Sequence, residues 1–159
     1  MSSKTLSNLV RTAVIAVTLC VAAGCFYVLP LYGTNLALKY PALAHCYYPW
    51  LFFLWISSAP CLAILVIIWI VSKAIKQEQV FTITTARLVK ISAVILFSYI
   101  CFFFAGNTVF LLLNMSHPLV LLISIFINVF GVSLAVLAAV LSRYLTKAAK
   151  LQEEVDSTI

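Results

Sequence analysis

The sequence predicts an all-α, polytopic membrane protein: a bundle of four transmembrane helices with both termini in the cytoplasm. Three observations predict it. Of 159 residues, 65% are apolar and only 9% are charged, whereas a soluble domain carries about a quarter charged residues. Four segments each supply the roughly 20 mostly apolar residues that a spanning helix needs. Strands are not expected, because these runs are too long and lack period-two alternation. The charges, finally, sit on one side of the segments.

The elements follow in order within a single membrane domain, residues 1–159. The first span is expected over about 12–29, ending at Pro30. Lys4 and Arg11 before it resemble the start of a signal peptide, and Ala22-Ala23-Gly24-Cys25 resembles a lipoprotein cleavage box. Phe26 to Leu29 continues the apolar run, so the expectation is an uncleaved first helix. An outer loop over 30–49 is expected next. It carries Leu36, Ala37, Leu38 and Leu43 and few polar residues, which suits the membrane interface. The second span, about 50–71, contains Pro60, where a kink is expected, with the freed carbonyl satisfied by Ser57 or by a neighbouring helix. A cytoplasmic loop over 72–87 leads to the third span, about 88–113. The short Asn114-Met115-Ser116-His117 connection makes the third and fourth spans antiparallel neighbours. The fourth span is expected over about 118–144, followed by a cytoplasmic tail, 145–159.

Lys4, Arg11, Lys73, Lys76, Arg87, Lys90, Arg143, Lys147 and Lys150 all flank the spans on one side, and the other side holds only Lys39. The positive-inside rule places the nine in the cytoplasm. The opposite side carries Tyr27, Tyr32, Tyr40, Tyr47, Tyr48 and Trp50, which suit the headgroup boundary. The net charge of +6 therefore answers to anionic headgroups. Direct nucleic-acid binding is not expected, since no basic helix stands clear of the membrane.

The fourth span shows a face of small or polar residues. Ser124, Asn128, Gly131, Ala135, Ala138 and Ser142 recur at spacings of four and three. Lipid offers no hydrophobic drive between helices, so packing seams use small residues and interhelical hydrogen bonds. This face is expected to pack, within the chain or between copies in a homo-oligomer, while Leu121, Ile125 and Val136 face elsewhere. The third span offers a weaker match in Ser98, Cys101, Ala105 and Thr108. Asn107 and Asn128 are the most polar residues deep in the spans. They read either as a ligand or ion site or as helix–helix glue, and glue is the expectation.

Reactive chemistry is not expected. No Asp or Glu lies within a span, and no nucleophile–base, phosphate-binding or HExxH motif occurs. His45, Cys46 and His117 fall on the outer side, in a spacing too loose for a metal site. Of the five cysteines, Cys46 alone is expected in an aqueous loop, and no disulfide framework is expected. The chain thus reads as non-enzymatic, without cofactor, metal or catalytic residue. The missing intramembrane carboxylates also argue against a secondary transporter.

Two segments on the basic side remain. Thr82 is placed to cap the third helix, and Phe81 stands where a hydrophobic staple would be. Leu151, Val155 and Ile159 recur every fourth residue in the tail, interleaved with Glu153, Glu154 and Asp156. Such a tail reads either as a solvated helix end or as a docking peptide for a basic partner groove. These features, Phe81-Thr82 with Ala86-Arg87-Leu88 and Ile91, and the tail Leu151-Gln152-Glu153-Glu154-Val155-Asp156-Ser157-Thr158-Ile159, resemble an uncharacterised bacterial family with four spans. Its members end close to L-x-E-E-N-D-L-T-I, and this chain departs at Val155 and Ser157. The resemblance implies a bacterial inner (plasma) membrane. It also implies a cytosolic partner, because genes of that family often neighbour small helix-turn-helix regulators. The regulatory reading is a membrane protein that docks such a regulator. The alternative is a small transport or immunity-type protein that protects against a membrane-active peptide or solute.

Overall fold

The computed structural model describes residues 3–77 and 80–156. Among them there is helix and no strand. In order, the helices are α1 (Ser3–Ala23), a π-helical turn (Gly24–Val28), α2 (Leu29–Lys39), a 3-10 segment (Pro41–Cys46), α3 (Tyr47–Lys76), α4 (Ile83–Leu112) and α5 (Pro118–Asp156). Among the described residues, four helical runs are long and apolar enough to cross a membrane. The chain is a multi-pass membrane protein, and its solvent is largely the lipid bilayer.

The expected outer loop over 30–49 is helical instead. Pro30 does not end the first helix, which runs on as α2 to Lys39. The reason lies in the π turn before it. Leu29 N–H donates to Gly24 O, a one-residue-wider loop than in an α-helix. The next acceptor in that pattern, Cys25 O, would need an N–H from Pro30, which has none. The indole Nε1 of Trp55 on α3 supplies the donor instead, 2.9 Å from Cys25 O. A hydrogen bond from another helix thus keeps the proline inside. The resulting run, Lys4–Lys39, spans 36 residues, or about 54 Å, well beyond the ~30 Å of a hydrocarbon core.

The 3-10 segment then turns the chain into α3. Cys46, expected in water, is only 6% exposed, with its Sγ 3.3 Å from His45 Nε2. Helix α3 runs unbroken through Pro60. Ser57, expected to satisfy the freed carbonyl, keeps a buried hydroxyl without a partner. Ser58 Oγ donates to Trp55 O at 2.7 Å, one residue short of Ile56 O, the carbonyl that Pro60 frees.

The α4–α5 turn is a Schellman motif. Met115 N–H donates to Phe110 O at 2.9 Å and Asn114 N–H to Leu111 O at 3.1 Å. Asn114 takes φ 55°, a conformation asparagine tolerates. Trp50 Nε1 donates to Met115 O at 2.9 Å, tying the start of α3 to this turn.

The helices stand in an open row. Helix α1 packs on α3, α3 on α4, and α4 on α5, while among the described residues α1 makes no close backbone approach to α4 or α5. The α3–α4 joint is aromatic. Trp50 stacks on Phe110 at 4.7 Å, and Phe53 meets Phe103 at 5.7 Å and Phe110 at 5.2 Å. Gly106 lets the Phe53 ring lie against the backbone of α4, where any Cβ would strike it.

The α4–α5 joint runs the length of both helices. Ser124, Asn128, Ala135 and Ser142 are buried, and Gly131 and Ala138 are half-buried. Leu145 and Ala149 extend the same four-and-three spacing. Ile125 and Val136 are exposed and Leu121 is half-buried. On α4, the buried positions are Thr85, Ala86, Ala93, Ile100 and Asn107. Of the expected α4 face, Ser98, Cys101 and Ala105 are exposed and Thr108 is half-buried. The correction has a steric cause. Ile100 sits over Gly131, its Cδ1 and Cγ1 both 3.1 Å from where a Cβ would stand. The small residue on α5 makes the hole, and α4 supplies the large side chain that fills it.

Candidate functional site

The antiparallel row gathers Lys4 and Arg11 of α1, Lys73 and Lys76 of α3, Arg87 and Lys90 of α4, and Arg143, Lys147 and Lys150 of α5 at one end of the molecule. That basic end is built by three local devices.

The first is the cap of α4. Thr82, in extended conformation, accepts the Thr85 N–H on its Oγ1 at 3.2 Å, and the two hydroxyls lie 2.9 Å apart. The cap satisfies one of the helix's orphan donors. Phe81 precedes it and is 54% exposed, so its ring is presented outward.

The second is the extension of α5. The seam on α4 has its last buried position at Ala149, yet the helix continues to Asp156. With Ile100 opposite Gly131, the residues past Ala149 lie beyond the start of α4. Leu151 is 63% and Val155 61% exposed, one turn apart on one face, and Glu153 and Glu154 are exposed beside them. Ile159, the third member of the stripe, lies outside the described residues.

The third device was not legible in the sequence. Ser7 Oγ donates to Ser72 O at 2.7 Å, and Arg11 Nε donates to Ser72 Oγ at 3.1 Å. Both serines are fully buried. The Arg11 guanidinium lies 5.4 Å from the centroid of Trp69, within cation–π range. Arg11 is thus spent on holding α1 to α3. The only local hint is the four-residue spacing of Ser7 and Arg11. Their partner lies on another span, and no sequence pattern points to it.

The remaining expected residues lie elsewhere. Asn107 is 1% exposed and donates from Nδ2 to Phe103 O of its own helix at 2.8 Å. Asn128 is 8% exposed, and its Nδ2 is buried without a partner. Neither amide nitrogen bridges two helices, contrary to the expectation of interhelical glue. Ser124 and Ser142 likewise donate within α5, to Leu121 O and Ala139 O. His45, Cys46 and His117 are not brought together: among the described residues no group of three or more metal-ligating side chains converges. His117 Nδ1 instead accepts the Leu119 N–H at 3.2 Å and caps α5.

Residues 31–159 match the model of a family described as a protein of unknown function, DUF2975. No curated protein and no solved structure matches the chain. The matched region takes in α3, α4, α5 and nearly all of α2, so the chain belongs to the DUF2975 family.

Proposed function

We propose that this member of the DUF2975 family is a non-enzymatic regulatory protein of the bacterial inner membrane, which docks a cytosolic partner on the helical extension of α5. The positive-inside rule supports a cytoplasmic basic end. The observation that carries the reading is the exposure of Leu151 and Val155 on a helix that has outrun its packing partner. Apolar residues one turn apart beside Glu153 and Glu154 suit a groove with a basic rim. The exposed Phe81 at the same end adds a second apolar contact. A helix-turn-helix regulator is the partner class we propose, because such proteins carry basic surfaces.

The test is in-cell crosslinking and purification of the intact chain against one lacking Glu153 to Ile159. The expected result is a DNA-binding protein captured by the intact chain alone, with expression of its target genes altered by the deletion. Unchanged gene expression and an identical set of captured proteins would sink the reading.

A second reading, a transport or immunity role, rests on the Asn128 amide nitrogen, buried in α5 without a partner among the described residues. Its test is the sensitivity of cells carrying Asn128→Leu, at normal protein level, to a panel of membrane-active peptides and small solutes. An unchanged response across the panel would remove its support.

A further inference from the structure

A groove of about 640 Å³ runs between α4 and α5 at the basic end. Its apolar lining includes Ala93, Phe97, Ala135 and Ala139. Its mouth carries Lys90 from α4 and Arg143 and Lys147 from α5. Arg143 and Lys147 are one helical turn apart, so two like charges face each other on one helix, an arrangement that disfavours the helix unless an anion intervenes. Among the described residues neither Lys90 nor Arg143 has a carboxylate partner, and Lys147 has only the ring of Tyr144, 6.0 Å away. On the α1–α3 side Arg11 differs, being already bound to Ser72 and Trp69.

From this convergence we infer that the groove holds one anionic glycerophospholipid, its phosphate among Lys90, Arg143 and Lys147 and one acyl chain along Ala93, Phe97, Ala135 and Ala139. The occupant follows from the two halves of the site. Three unneutralised cations select a negative headgroup. The trough beneath them is nearly devoid of polar surface and too apolar for a free phosphate or a charged peptide. Small residues make the trough: Ala139, half-buried beside the seam, leaves room that a larger side chain would fill. The site does not depend on the tail reading, since Leu151 and Val155 lie outside the groove.

The test is native mass spectrometry of the full chain purified in detergent with equal amounts of phosphatidylglycerol and phosphatidylcholine of matched chains. The expected result is retention of phosphatidylglycerol over phosphatidylcholine by about tenfold. The triple variant Lys90→Gln, Arg143→Gln, Lys147→Gln is expected to abolish that preference. The charge-matched control Lys73→Gln, Lys76→Gln, Lys150→Gln is expected to keep it. Ala139→Phe, which fills the trough and leaves every cation in place, is expected to lower retention of both lipids, and excess inorganic phosphate is expected not to displace the bound lipid. Equal loss of preference in the two triple variants would show diffuse charge and overturn the site. Displacement by phosphate with no effect of Ala139→Phe would show a phosphate site without an acyl groove and overturn it equally.

Discussion

The α1–α3 joint and the α4–α5 joint face the same lipid and solve the same problem in different ways. The first is pinned at points: Ser7 to Ser72 O and Arg11 to Ser72 Oγ at the basic end, and Trp55 to Cys25 O near the π turn. The second is zipped. Its buried positions run from Ser124 to Ala149, and the hydroxyls of Ser124 and Ser142 bond within their own helix. Lipid tails are as apolar as leucine, so two helices associate through polar contacts or through close fit. A pinned joint depends on a few groups and tolerates loose packing between them. A zipped joint depends on the absence of bulk at every seam position.

The comparison breaks most easily in the seam. Ala135, 4% exposed, has no room for a larger side chain. Ala135→Leu is expected to destabilise the chain by about 1–3 kcal/mol through overpacking, measured as the loss of helicity across a denaturing-detergent titration. A smaller effect is expected at the pin. Trp55→Phe keeps the ring but leaves Cys25 O without its donor, a loss of about 1 kcal/mol. Pro30→Ala restores a backbone N–H for that carbonyl, so the same Trp55→Phe change is expected to cost less in the Pro30→Ala background. Additive effects in that double-mutant cycle would show that the indole bond and the proline are independent. The smallest effect is expected on the lipid side of α4. Ser98 is exposed, and Ser98→Leu is expected to stay within about 0.5 kcal/mol of the parent. A larger loss would place Ser98 in a helix joint after all.

What was legible in the sequence follows the same division. The α5 seam could be read because a hole must be made of small residues, and small residues recurring at four and three stand out. The α4 face could not. Its role is to fill the holes, so Ile100 and Asn107 serve there, whereas small residues in the sequence point to Ser98, Cys101, Ala105 and Thr108. The four spans and the Thr82 cap were legible because composition and capping are local. The helix through Pro30 was not, because its rescue comes from Trp55, whose indole reaches Cys25 O across 30 positions of sequence. The burial of Cys46 and the pairing of Ser7 with Ser72 were hidden for the same reason. At the basic end, the exposed stripe of Leu151 and Val155 was visible as a period of four. The convergence of Lys90 with Arg143 and Lys147 required the register of two helices.

That register is the centre of the account, and one measurement addresses it directly: disulfide crosslinking in native membranes. In a background with the five native cysteines replaced, one cysteine is fixed at Ile100 and a second is moved singly along α5 from Ser124 to Ser142. The account predicts the strongest crosslink at Gly131, weaker ones at the flanking seam positions Asn128 and Ala135, and none at Val129, Val132 or Val136. Crosslinking that peaks at Val132 or Val136, or that shows no period along the helix, would contradict it.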